Sequence, residues 1–125
     1  MGNSPFETLS PWTFIDDIVR GTILAAERID DGTAVDLGTM ERTRVLDTAA
    51  QIVRYMGHEP ETELRLEFPT GPYNRVADNS PAKRLPGWEP KINFHDGLCR
   101  TIDSYTSAKD PGAVGSTLAR ILIER

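Results

Sequence analysis

Arg75 is the side chain in this sequence best suited to binding chemistry, and it is flanked by Tyr73, Asn74 and Asp78. A guanidinium presents a planar fork of donors that fits phosphate or carboxylate better than the point charge of a lysine. The cluster lies in Pro69–Pro90, a stretch that holds five of the nine prolines. A loop this long, with its own turn chemistry, is more often functional than merely connective. The plain alternative is a solvated arginine paired with Asp78.

Other residues invite chemistry less strongly. Tyr105 and Lys109 spell Y-x-x-x-K, the tyrosine–lysine spacing of short-chain dehydrogenases, but no G-x-G-x-x-G dinucleotide loop occurs in the 125 residues. The simpler reading makes Tyr105 the last packed aromatic of a helix and Lys109 a favourable charge at its C-terminal end. Asp16 and Asp17 form a carboxylate pair, and that pair is expected to mark a helix start, one residue capping and the other solvated or tying down a neighbouring loop. His95, in the first turn of a helix, reads as an exposed polar residue. Cys99 lies beside an apolar stripe and reads as a packing residue, with no base spaced to activate it. In Gly87-Trp88-Glu89-Pro90, Trp88 is expected to pin the loop to the helices that follow. One cysteine and two histidines, His58 and His95, are too few for a zinc site.

Hydrophobic periodicity supplies the elements that must position these groups. Trp12–Ile15 reads as a short strand, and Asp16 and Asp17 then open a helix carrying Ile18, Val19, Thr22, Ile23, Ala26 and Ile29 at helical spacing. Thr33–Leu37 is a second expected strand. Thr43 is placed to cap a helix whose apolar face holds Val45, Leu46, Ala49, Ile52, Val53 and Met56, with Gly57 as its stop. Glu61–Phe68 alternates charge with Leu64, Leu66 and Phe68, the pattern of a half-buried strand. Ser80 followed by Pro81 suits a cap and first turn of a short helix. Asn93 and Asp96 resemble a capping box, opening a helix through Phe94, Leu98, Ile102 and Tyr105. Pro111-Gly112 breaks it before a terminal helix. The expected fold is α+β: a small mixed sheet of about three strands with four to five helices. Three strands make a modest core, which hints at a missing partner surface.

Composition narrows the classes of function. The charge of −5 argues against non-specific binding to nucleic acid or anionic membranes, and 38% hydrophobic with 26% charged residues fits a globular chain. No apolar run approaches the roughly 20 residues of a membrane span. There is no basic-then-apolar leader, and a single cysteine makes a reducing cytoplasm the default expectation.

Several of these pieces, in order, resemble the extended short-chain dehydrogenase/reductase family, the NAD-dependent nucleotide-sugar epimerases and dehydratases. Thr13-Phe14-Ile15-Asp16-Asp17-Ile18-Val19 resembles its F-x-Y-[VI]-x-D-[VL] segment, and Val35-Asp36-Leu37-Gly38 its Y-N-[LIV]-G strand. Arg75-Val76-Ala77-Asp78, Ser80 to Lys83 and Leu85 to Pro90 are similar to its R-x-x-D-x-S-K-A-x-x-x-L-G-W-x-P signature, and Phe94 to Tyr105 to its closing helix. The departures are Ser10, where many members carry an arginine, Asp36 in place of asparagine, and Pro86 within the usual L-L-G-W.

The resemblance implies a C-terminal, substrate-side domain over residues 12–108, with a flexible lead-in at 1–11 and a terminal tail or helix at 109–125. It implies that Arg75 meets the diphosphate of a nucleotide-diphospho-sugar, with Tyr73 and Asn74 as adjoining substrate-binding residues. No catalytic, cofactor or metal residue is assigned to the chain, and NAD or NADP belongs to the Rossmann half that the sequence does not contain. The expected role is substrate binding without catalysis by this chain alone, completed by a Rossmann half from elsewhere in a parent chain or from a Rossmann-domain partner. The alternative is a remnant that dimerises or acts as a scaffold without ligand.

Overall fold

The structure, a computed structural model, describes residues 8–64 and 75–123. In chain order these form β1 (Leu9–Ser10), α1 (Ile15–Arg28), β2 (Thr43–Arg44), α2 (Val45–Tyr55), α3 (Ser80–Arg84), α4 (Phe94–Ala108) and α5 (Pro111–Ile123). The mixed α and β character and the five helices match the expectation. The strand count among the described residues does not: β1 and β2 make one two-stranded antiparallel ladder, Leu9 opposite Arg44 and Ser10 opposite Thr43.

The expected strands fail for identifiable reasons. Ile15 is the first residue of α1, because Asp16 and Asp17 sit in the first turn, where carboxylates favour helix entry. Thr33–Leu37 is irregular. A strand needs a neighbouring ladder, and this segment is held from elsewhere: Leu37 lies against Gly21, and just beyond it the Thr39 N–H donates to Thr13 Oγ1 at 2.9 Å. Glu61–Leu64 is also irregular, and the rest of that expected strand lies outside the described residues.

Helix ends follow local chemistry, with some shifts of position. Gly57 takes φ +71° just past α2, the left-handed stop expected of it. Thr43 is paired in β2, and Arg44 takes the cap position instead. Ser80 is inside α3, with Asn79 as its cap residue and the Ser80 N–H donating to Asp78 Oδ1 at 3.0 Å. Asn93 caps α4 as expected, accepting the Asp96 N–H at 2.9 Å, while its own amide donates to the Asp96 carboxylate at 2.8 Å.

The interior centres on α1. Trp88 is fully buried, its indole N–H donating 2.7 Å to the Asp17 carbonyl, so it pins the loop to α1. Gly21 makes that contact feasible, since a Cβ there would lie 2.7 Å from both Leu37 Cδ2 and Trp88 Nε1. Gly97 of α4 likewise admits the Phe14 ring, over which Arg100 stacks at 5.8 Å. At Gly38 a Cβ would come within 2.4 Å of the Ala77 methyl, just where the Asn79 amide donates to the Gly38 carbonyl. Gly38→Ala is therefore expected to cost about 1–3 kcal/mol by overpacking. Adding Ala77→Gly should restore most of that loss in urea melts, and failure of the pair to recover would refute the contact.

Apolar surface is left uncovered on α1: Ile15, Val19 and Ile23 are 61%, 50% and 53% exposed. Among the described residues no helix is long and apolar enough to cross a membrane.

Candidate functional site

Arg75 follows the undescribed segment that contains Tyr73 and Asn74, which therefore lie outside the described residues. Its main chain is fixed, the Arg75 N–H donating to the Leu9 carbonyl of β1 at 3.3 Å. Its side chain is exposed, and no hydrogen bond or ion pair holds the guanidinium among the described residues. Pairing with Asp78, the bland alternative, does not occur. Asp78 instead accepts from the Ser80 N–H, and its carboxyl is held below the ordinary value by its hydrogen bonds with Ser80. The acid that a loop arginine would ordinarily neutralise is thus engaged in starting α3.

The loop from Pro86 to Ile92 is fastened to α1 by charged groups. Asp17 is 2% exposed, and its Oδ2 accepts the N–H groups of Lys91 and Ile92, each at 2.9 Å, while Oδ1 accepts from Arg20 Nη2 at 2.8 Å. Burial pushes its carboxyl up. The hydrogen bond from Arg20, those from Ile92 and Lys91 and the Arg20 charge more than offset this, and the net displacement is downward. Arg20 also donates to the Glu89 carbonyl, and Arg28 donates to the Pro86 carbonyl at 2.8 Å. Gly87, at φ +73°, makes the turn between these two grips, and the Trp88 N–H returns to the Ala82 carbonyl at 2.9 Å. Asp17 ties down the loop, one of the roles expected for the aspartate that does not cap. Neither carboxylate is the cap residue, which is Phe14. The sequence signal for the grips is faint: two arginines eight residues apart, roughly two turns of helix.

An open groove of about 630 Å³ runs past Thr39, Glu41, Asn79, Lys83 and Arg84, and a Lys83–Glu89 ion pair spans two of its residues. Arg75 is not among the residues lining it. On the other side chains singled out from sequence, Tyr105 is 52% exposed and so is not a packed aromatic, and Lys109 is the residue after α4, where its N–H meets the Tyr105 carbonyl. His95 is exposed as expected. Cys99 differs from its reading, because His95 Nε2 lies 3.7 Å from its Sγ. The overlooked signal is their i, i+4 spacing on one helix, which places both on one face. Among the described residues no cluster of acids, histidines or cysteine is arranged to hold a metal ion.

No protein-family model matches the chain. Among curated proteins, it is 33% identical over 94 residues to the UDP-glucuronate 4-epimerase of Thermodesulfobacterium geofontis, covering 74% of this chain and 28% of the relative. It is 27% identical over 97 residues to a trifunctional UDP-glucose 4,6-dehydratase/UDP-4-keto-6-deoxy-D-glucose 3,5-epimerase/UDP-4-keto-L-rhamnose-reductase of Arabidopsis thaliana, covering 76% of this chain and 14% of the relative. Among solved structures, the UDP-glucuronic acid 4-epimerase of Bacillus cereus, in complex with UDP-glucuronic acid and NAD, superimposes with a TM-score of 0.74 at 25% identity. That match covers 83% of this chain and 34% of the epimerase. The chain thus spans about a third or less of the proteins it resembles. Its relatives in sequence and its neighbours in fold are nucleotide-sugar epimerases and dehydratases of the extended short-chain dehydrogenase/reductase family, and the chain is homologous to a part of them.

Proposed function

We propose that this chain is the substrate-side surface of an NAD-dependent nucleotide-diphospho-sugar epimerase or dehydratase, that Arg75 grips the diphosphate, and that Tyr73 and Asn74 adjoin it. The observation that carries the reading is a guanidinium with a fixed backbone and no partner among the described residues, beside an acid engaged elsewhere. A planar cation kept free in this way suits a bidentate hold on phosphate oxygens. UDP-glucuronic acid is bound by the Bacillus cereus neighbour, which supports a ligand of this class. The uncovered face of α1 supports a further half that closes over it, and an enzyme of this kind takes its hydride chemistry from NAD held in that half. No residue here is assigned to the cofactor, since the glycine-rich turn that receives a dinucleotide pyrophosphate is absent from the sequence.

Calorimetric titration with UDP-, GDP- and dTDP-sugars tests the reading. Arg75→Ala is expected to weaken binding by about 1.5–3 kcal/mol, the usual worth of a charge-assisted hydrogen bond. That corresponds to roughly tenfold to a hundredfold in Kd. Binding that Arg75→Ala leaves unchanged would remove Arg75 from the site. Absence of binding to all three sugar classes would count against the chain carrying the substrate surface.

A further inference from the structure

The open groove beside α3 carries two opposite charges that do not neutralise each other. Glu41 and Arg84 both line its volume of about 630 Å³, within the range of small-molecule sites. Among the described residues neither side chain has a hydrogen-bond or ion-pair partner. Arg84 acts on Asp78 only as a nearby charge, while the groove's other two charges, Lys83 and Glu89, are spent on each other. Both walls are fastened. The Glu41 N–H donates to Thr39 Oγ1 at 3.0 Å, and the Thr39 N–H to Thr13 Oγ1 at 2.9 Å. On the α3 side, the Asn79 amide donates to the Gly38 carbonyl at 3.0 Å. A carboxylate and a guanidinium thus border one space on backbones that need little rearrangement to receive a ligand.

We infer that this groove receives the base of the nucleotide and selects guanine, with Glu41 and Arg84 as the specificity-determining residues. The inference rests on the reading of the chain as a nucleotide-diphospho-sugar surface gripped at Arg75. Asn79, on the rim of the groove, is four residues beyond Arg75. That is at most about 14 Å of extended chain, a span that a nucleoside diphosphate bridges.

The pattern of donors and acceptors carries the choice of base. Guanine presents two adjacent donors, at N1 and N2, and on another edge two acceptors, O6 and N7. A carboxylate accepts from the first pair, and a guanidinium donates to the second. Uracil and thymine offer one N–H between two carbonyl oxygens, and those oxygens would meet the Glu41 carboxylate. Adenine and cytosine each set an amino donor beside a ring nitrogen that only accepts. A carboxylate there gains one hydrogen bond and meets one lone pair. An acceptor left facing an acceptor is what lets a polar site reject the wrong ligand.

The test is calorimetric titration of the full chain with GDP, UDP and dTDP. GDP is expected to bind about tenfold to a hundredfold more tightly than the other two, the discrimination that a bidentate base contact supplies. Glu41→Ala and Arg84→Ala, both at exposed positions, should each lose most of that preference. Arg75→Ala should instead weaken all three nucleotides alike, which separates the base contact from the diphosphate grip. UDP or dTDP binding as tightly as GDP would overturn the guanine assignment and leave the substrate-side reading standing. So would a GDP preference that both variants retain. Absence of binding by all three nucleotides would overturn the assignment and that reading together.

Discussion

Asp17→Ala is expected to destabilise the chain by about 3–5 kcal/mol, the range for breaking a buried charged network by removing one partner. The substitution strands Arg20 and leaves the Lys91 and Ile92 N–H groups without their acceptor, on a carboxylate site that is 2% exposed. Urea unfolding measures it directly. A loss no larger than that of an exposed aspartate such as Asp16 would show that the loop is held some other way. The pH dependence has a definite sign. The Asp17 carboxyl is held below its ordinary value in the fold, so its contribution is complete above the unfolded value of about 3.9 and disappears as pH falls through the folded one. Asp17→Asn should therefore flatten the acid limb of the stability profile while leaving a lower plateau near neutrality.

Trp88→Ala carries the second large effect. The indole is fully buried against α1, and truncating an enclosed aromatic of this size costs about 3–5 kcal/mol. Trp88→Phe separates packing from hydrogen bonding. It keeps most of the apolar volume but leaves the Asp17 carbonyl without its donor, for an expected loss of about 1–3 kcal/mol. Urea denaturation midpoints followed by far-ultraviolet circular dichroism report both. Equal losses for the two variants would assign the whole effect to the hydrogen bond, contrary to this packing.

The helical part of the fold was legible because it is written locally. The apolar stripes of α1, α2 and α4, the Gly57 stop and the Asn93–Asp96 cap each depend on residues within a few positions of one another. The strands were not legible. β1 and β2 are two residues each, and their pairing joins Leu9 to Arg44, a relation that no local pattern records. Thr33–Leu37 has the right composition for a strand, but its Leu37 lies against Gly21 of α1 and not against a neighbouring ladder. For Asp17 the loop-tying role was among those expected of the pair, but which aspartate takes it and which N–H groups it holds depend on Lys91 and Ile92, more than seventy positions away. Arg75 stood out through its residue type and loop, both of which are local. The Cys99–His95 pair was written at helical spacing and was passed over by treating each residue alone.

The central claim, that a guanidinium beside β1 grips a nucleotide diphosphate, is tested most directly by side-chain nuclear magnetic resonance. With the arginine Nε–H signals assigned, UDP-glucuronic acid is titrated into the chain. Arg75 is predicted to shift in a saturable way, while Arg20 and Arg28, occupied by the carbonyls of Glu89 and Pro86, stay in place. A still Arg75 signal at saturating ligand, or shifts confined to Arg84 in the neighbouring groove, would contradict it.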